Sequence, residues 1–360
     1  MRSKKNVAQS VLNISRFRVG WSESIPILRY VLGSTFIVIV TSLMGYDLAY
    51  LTAVLGLGYI APGAKPLTFK QGVGFVLVLA VLTFLAVMFA SAFQLYIMVY
   101  LPLLLLTLLW LYYTDRLPMM VKLFALISIV LIPFLSIDST AIGAFIATIL
   151  VFNAFMAIVL TQFIFMIFPL CKADEKFLKE KAAAPKQSSN ERYVYAVKIL
   201  CILSPVIILY YLFQWSSSVL ILTFITILTV SPAFANPKVG LVMIVANTLG
   251  GLFGILAYQF LVMAPSFVFM ILLTLLVGFV FAQKLFSDSK YAGIFGSAFS
   301  TFLLILGSVT ASDDEAGAKV WDRVIQIAMA VIYVVAAFGL LDRISKSRSN
   351  ASDSKPNAKG

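Results

Sequence analysis

Residues 71–90 read QGVGFVLVLAVLTFLAVMFA, a run of twenty positions without a charge. As an α-helix, rising 1.5 Å per residue, such a run covers about 30 Å, the thickness of a bilayer's hydrocarbon core. Runs of the same kind recur on either side of it. Before the middle of the chain they lie at 28–45, 48–62, 94–113, 119–137 and 140–168; after it, at 194–213, 217–233, 239–262, 266–285, 291–310 and 321–341. Twelve spans of roughly twenty residues would occupy about two thirds of the chain. Composition agrees: 61% of the 360 residues are hydrophobic and 12% charged, against about 45–50% and 25% in soluble domains. A membrane β-barrel is excluded, because its strands alternate lipid-facing and lumen-facing residues and lack such runs. The expectation is an all-α polytopic integral membrane protein of about twelve transmembrane helices.

The chain then divides at its polar stretches. Residues 1–27 form an N-terminal segment in which 7–21 would be a short interfacial helix contacting the membrane through Val11, Ile14, Phe17 and Trp21. No compact apolar core precedes a small-residue cleavage site there, so no cleavable signal is expected. The first membrane block is 28–168, a polar linker covers 169–192, the second block is 193–342, and the Ser/Asn/Lys-rich tail 343–360 is expected to be disordered.

Charge sets the orientation. With the N-terminus in the cytoplasm, all 27 basic residues except Lys319 and Arg323 fall in or beside cytoplasmic segments, while Asp47, Asp138, Asp313, Asp314, Glu315 and Asp322 fall on the far side. That is the positive-inside pattern, and an even span count puts both termini in the cytoplasm. The net charge of +12 is thereby spent on topology, leaving no basic patch for nucleic acid. The absence of His and the presence of only Cys171 and Cys201 exclude imidazole catalysis, His-ligated zinc and Cys₄ clusters. No Walker loop, nucleophile elbow or metal-ligand pair is present, so no cofactor or metal is expected and an enzyme is the least favoured class.

Internal repetition follows. Arg29-Tyr30-Val31 opens the first block and Arg192-Tyr193-Val194 the second. In each, two spans lead to a loop bracketed by proline, Pro62 to Pro66 and Pro232 to Pro237, where one helix ends and the next can begin. Six spans per block make the two blocks parallel repeats related by an axis along the membrane normal.

On these features the chain resembles the fusaric acid resistance superfamily of aromatic-acid-exporter-like membrane proteins. The features are the six-span block used twice, the Arg before each block, the proline-flanked loops and the Trp321-Asp322-Arg323 entry to the last span. Larger members carry a soluble domain after each block, which this chain lacks, so it looks like the small branch of uncharacterised members. The first block also has Asp138-Ser139-Thr140 where an Arg would stand. The resemblance implies an efflux permease of the bacterial inner membrane, working with a periplasmic HlyD-like membrane-fusion adaptor. The bilayer is then the first partner, and a homo-oligomer a further one.

Ionisable and polar residues inside a membrane are the places to look for function. Asp47 and Asp138 each precede a span, where a carboxylate either caps the helix N-terminus or takes up protons in an apolar setting. Asp322 and Arg323 open the last span, as interfacial anchors beside Trp321 or as a proton site and a counter-ion for a carboxylate substrate. Asp322, Gln326, Met329 and Tyr333 share a helical face, a path lining or a helix contact. Asn247 shares a face with Gly251, Gly254 and Tyr258; Gly250-xxx-Gly254 fits the small-residue spacing of close helix packing, and Asn247 is the substrate contact if there is one. Asn153 and Gln162 point to opposite sides of their helix, so only one can line a pathway, and Asn153 is the candidate. Pro102, Pro133 and Pro205 fall within spans and predict kinks. The expected activity is proton-linked export of small organic acids, aromatic ones among them. Asp47, Asp138 and Asp322 would carry protons, and Arg323, Asn247 and Asn153 would contact substrate. A different twelve-span carrier of the major-facilitator type and a non-transporting assembly subunit are the alternatives.

Overall fold

The computed structural model describes residues 24–93, 96–114, 117, 119–136, 139–183, 188–213, 237–287, 289 and 292–310, with isolated positions in 221–229 and 325–343. Among these residues the fold is helical throughout, with no strand. The helices are α1 (Ser24–Met44), α2 (Tyr50–Ile60), α3 (Phe69–Phe93), α4 (Ile97–Tyr113), α5 (Met119–Leu135), α6 (Thr140–Ile167), α7 (Lys172–Ala183), α8 (Ser189–Phe213), α9 (Pro237–Met263), α10 (Phe267–Leu285) and α11 (Ala292–Thr310). Six helical stretches are long and apolar enough to cross a membrane: Ser24–Met44, Phe69–Phe93, Thr140–Ile167, Ser189–Phe213, Val245–Met263 and Phe267–Leu285. The chain is a multi-pass membrane protein on that evidence. Shorter apolar helices occupy Tyr50–Ile60, Ile97–Tyr113, Val121–Leu135, Ala292–Ser308 and Ile332–Leu341. Of the expected spans, 217–233 lies almost wholly and 321–341 partly outside the described residues, as do the expected interfacial helix at 7–21 and the C-terminal tail.

The linker carries a helix of its own, α7, charged on its outer side. Asp174 and Glu175 occupy its first turn, where negative charge complements the unpaired N–H groups of a helix start. Glu175 and Lys179 pair at 3.8 Å one turn apart, both exposed, a contact of the kind worth only a few tenths of a kcal/mol. Phe177 turns inward and meets Phe286 edge-on at 5.6 Å.

Two compact units emerge, and each draws on both sides of the linker. The first comprises Met1–Val73, Phe152–Pro185 and Leu249–Ala316; the second comprises Gly74–Val151, Lys186–Thr248 and Gly317–Gly360. In the first unit α1, α2 and the later part of α6 come together at glycines. Gly33 faces Ile164 and Ile60, and Gly56 faces Ile37 and Thr161. Helices α9 and α11 approach closely enough that a Cβ at Gly250 would strike the Ala298 carbonyl, and a Cβ at Gly254 would sit 3.0 Å from Ile305. The Gly250-xxx-Gly254 spacing is therefore a packing seam. Helix α11 continues onto α2, where Gly307 lies against Tyr50. Tyr30, Phe281, Phe299 and Phe302 fill the space beside that seam, with ring centroids 5.8–6.3 Å apart.

The second unit is built mainly from α4 and α8, which pack side by side, with α5 against α4. Its centre is aromatic: Phe134 lies 4.5 Å from Tyr211, and Tyr211 lies 5.0 Å from Tyr100. Ala86, Ile132 and Ala147 form a further buried hydrophobic cluster, with Val87 packed against it. Pro102, Pro133 and Pro205 all sit inside helices, as the sequence indicated. Each removes one backbone donor from its ladder.

The α9–α11 seam generates a test. Gly250→Ala should lower the thermal unfolding midpoint of the detergent-solubilised protein, by an amount equivalent to about 1–3 kcal/mol of overpacking. Gly74→Ala, at a helical glycine with nothing within 4 Å of an added Cβ, should leave it unchanged or raise it. Equal midpoints for the two variants would refute the seam.

Candidate functional site

Polar groups buried in the first unit gather at two stations. The first is at the N-terminal end of α1. Arg29 lies in the second turn of that helix and is 1% exposed, and Asp174 in the first turn of α7 is 2% exposed. The guanidinium grips the carboxylate with both terminal nitrogens, Nη1 to Oδ2 at 3.1 Å and Nη2 to Oδ1. Nη1 also reaches the Pro169 carbonyl at 3.5 Å, and the plane lies over the Phe165 ring at 4.9 Å. Asp174 serves α7 as well: its Oδ2 accepts the Cys171 backbone N–H at 2.8 Å and the Cys171 thiol at 3.3 Å. The carboxylate three residues into the helix thus reaches back to the residue before it, half of a capping box.

The local electrostatics follow from this geometry. Burial pushes the Asp174 carboxyl up, but the Arg29 hydrogen bonds and charge, together with the Cys171 N–H, outweigh it and hold the group below the ordinary carboxylate range. Burial, reinforced by the adjacent carboxylate, pushes the Cys171 thiol up, which disfavours the nucleophilic thiolate. The pair is structural chemistry: it pins the linker helix to α1.

The second station lies in α6, at Asn153. Counting from Asn153 to Phe165 at 1.5 Å per residue puts it about 18 Å along the helix from the Arg29 pair. Asn153 is fully buried. Thr52, in the first turn of α2, donates to Asn153 Oδ1 at 2.6 Å, and Tyr46 shares a 2.5 Å hydrogen bond with the Thr52 hydroxyl. The Tyr46 ring is held edge-on against Phe152, 5.0 Å away. The turn between α1 and α2 makes this reach possible. Gly45 at φ 60° and Leu48 at φ 55° both take the left-handed conformation, which costs a non-glycine residue about 1–2 kcal/mol, and the chain reverses so that Tyr46 folds back onto α2. Asp47 lies at the tip of this turn and is exposed. The capping role open to it is not taken up: the residue before α2 is Ala49, with no side-chain cap.

Of the other residues the sequence nominated, Asn247 is buried in α9 at 4% exposure, within the second unit, whereas Asn153 belongs to the first. Tyr333 donates to the Ile202 carbonyl of α8 at 2.7 Å, the helix-contact role. Gln162 is half-buried. Asp138, Asp322 and Arg323 lie outside the described residues. Among the described residues no three Cys, Asp or Glu side chains come together as a metal site. Reasoning from the sequence missed the Arg29–Asp174 pair and the Tyr46–Thr52 link. In the sequence Arg29 reads as a cytoplasmic charge and as the opening of the repeated Arg-Tyr-Val motif, not as half of a buried ion pair. Asp174, three residues after Cys171 at the start of a polar stretch, carried a helix-start signal that was readable.

No family model, no curated protein and no solved structure matches the chain.

The buried pair yields the second test. Arg29→Ala would strand a buried carboxylate and should destabilise the protein by about 3–5 kcal/mol, while Arg29→Leu combined with Asp174→Leu should recover most of the loss. The pH dependence has a definite sign. Because the folded carboxyl is held low, its contribution is fully present above the ordinary carboxylate value of about 4 and fades as pH falls through the lower folded value. Thermal unfolding scans should show the wild type losing stability in that acid window and Asp174→Asn losing less. Parallel curves would rule the linkage out.

Proposed function

We propose that the chain is the permease component of an inner-membrane efflux system for small organic acids, aromatic ones included, driven by the proton gradient. The observation that carries this reading is the hydrogen-bonded line from Tyr46 through Thr52 to the fully buried Asn153, with the exposed Asp47 next to Tyr46 in the chain. In an otherwise apolar helical protein, a buried polar residue reached from the surface through a hydrogen-bonded chain marks a route for substrate or ion. Asn153 presents its carboxamide in one fixed orientation, because Thr52 uses Oδ1 as its acceptor. Asp47, exposed in the turn beside Tyr46, is the first proton carrier in this proposal. Asp138 and Asp322 are further proton carriers in this proposal, Asn247 is a second substrate contact and Arg323 the substrate counter-ion. The resemblance to the fusaric acid resistance superfamily supports the same reading. With it come twelve spans in two parallel repeats, cytoplasmic termini, a bacterial inner-membrane location and an HlyD-like periplasmic adaptor.

Accumulation of labelled aromatic and aliphatic carboxylates in cells with and without the protein tests the proposal. Expression should lower accumulation, and a protonophore should restore it. Asn153→Leu should cut export about tenfold, the worth of one hydrogen bond to a charged group, with membrane levels unchanged. Asp47→Asn should abolish the protonophore-sensitive part. No difference between expressing and control cells, with and without a co-expressed adaptor, would move the assignment to a non-transporting subunit.

A further inference from the structure

The second unit carries a groove that the transport reading does not use. It has a volume of about 500 Å³ and is lined by Leu106, Thr107, Leu109, Trp110, Tyr113 and Tyr193, at the side of α4 and the start of α8. Its walls stand out from the protein: Leu106 is 64% exposed, Trp110 61% and Tyr193 53%. Along α4, which forms the floor, the Thr107 hydroxyl is returned to the Leu103 carbonyl of its own helix at 2.8 Å. Between Leu106 and Leu109 the floor therefore asks for no hydrogen bond.

The mouth is different. There the Tyr113 hydroxyl meets Ser189 Oγ at 2.9 Å, and the Arg192 guanidinium stands 6.0 Å from the Tyr113 ring centroid. Lys122 brings a second cation to the same end of α4, donating to the Tyr112 and Thr114 carbonyls at 2.8 and 3.1 Å. The neighbouring acid, Glu191, is engaged in a capping box with Ser188: its Oε2 accepts the Ser188 N–H at 2.9 Å, and Ser188 Oγ accepts the Glu191 N–H at 3.3 Å.

We infer that this groove holds an anionic phospholipid, with one acyl chain along Leu106 to Trp110 and the headgroup phosphate beside Arg192 and Lys122. The arrangement matches a lipid on three counts. An acyl chain is apolar along its length, as the floor is. Trp110, Tyr113 and Tyr193 are the residue types that collect at headgroup level. Two cations at the mouth favour negative over zwitterionic headgroups, each basic residue at a membrane surface being worth about fivefold in affinity. The inference requires only that α4 and α8 lie in the membrane and does not depend on transport.

The test uses the full chain with Trp110 as its sole tryptophan, Trp21, Trp215 and Trp321 being replaced by Phe, reconstituted into phosphatidylcholine vesicles. Brominated acyl chains, which quench tryptophan on contact, are placed either on phosphatidylglycerol or on phosphatidylcholine at one matched mole fraction. Brominated phosphatidylglycerol should quench Trp110 with about 25-fold higher relative affinity, about fivefold for each of Arg192 and Lys122. That preference should fall to about fivefold in Arg192→Gln, where Lys122 remains, and persist in Arg192→Lys. Equal quenching by the two lipids would overturn the inference, and so would protection from both, which would mean that a second copy of the chain covers the groove. A preference undiminished in Arg192→Gln would also overturn the headgroup placement. The comparison of the two lipids in the Arg192 protein decides the matter even if a variant fails to fold.

Discussion

Lipid offers no hydrogen bonds, and this protein is shaped by that constraint. Any polar group carried into hydrocarbon must find its partner inside the protein. Helices meet the demand for the backbone. Buried hydroxyls in the helices mostly meet it the same way: Thr35 donates to Val31, Thr41 to Ile37, Thr83 to Leu79, Thr161 to Ala157 and Thr274 to Met270, each returning its proton to a carbonyl one turn back. Those groups are silent. What remains stands out because it has been satisfied across helices instead. The Arg29–Asp174 pair and the Tyr46–Thr52–Asn153 line are the clearest cases in the first unit.

The same constraint explains the role of the linker helix. Asp174 is the one residue there that answers two needs, the cation at the start of α1 and the open N–H before α7. Removing either partner leaves a charge in an apolar site. A buried pair of this kind contributes modestly to stability against an apolar alternative, yet it is costly to break. Its value here is positional. It attaches α7 to the membrane part, and Phe177 on Phe286 completes the attachment.

The repeated Arg-Tyr-Val opening shows how one short motif serves two environments. Arg29 and Tyr30 are both 1% exposed, sealed under α7 and against Phe286 and Phe299. In the second copy Arg192 is half-buried and Tyr193 is 53% exposed, at the mouth of an open apolar groove. The first copy became a joint and the second a surface. Arg192 stands 6.0 Å from the Tyr113 ring centroid, where Arg29 faces the Phe165 ring and Asp174.

The helical membrane class and the approximate positions of the described apolar helices followed from the sequence alone, because uncharged runs near twenty residues have one low-energy form in lipid; the charged linker helix α7 did not. The glycine seam was legible for a related reason: small residues at a four-residue spacing leave room on one helix face, and Gly250 and Gly254 use it against α11. Local spacing carries no information about partners far apart in the chain. Arg29 and Asp174 are separated by 145 residues, and Thr52 and Asn153 by 101. Read singly, Arg29 was a topological charge, Asp174 a linker acid and Thr52 an unremarked hydroxyl. Only the packing of α1, α2, α6 and α7 brought them within hydrogen-bond reach, because burial forces a polar group to take whichever partner the tertiary structure sets beside it.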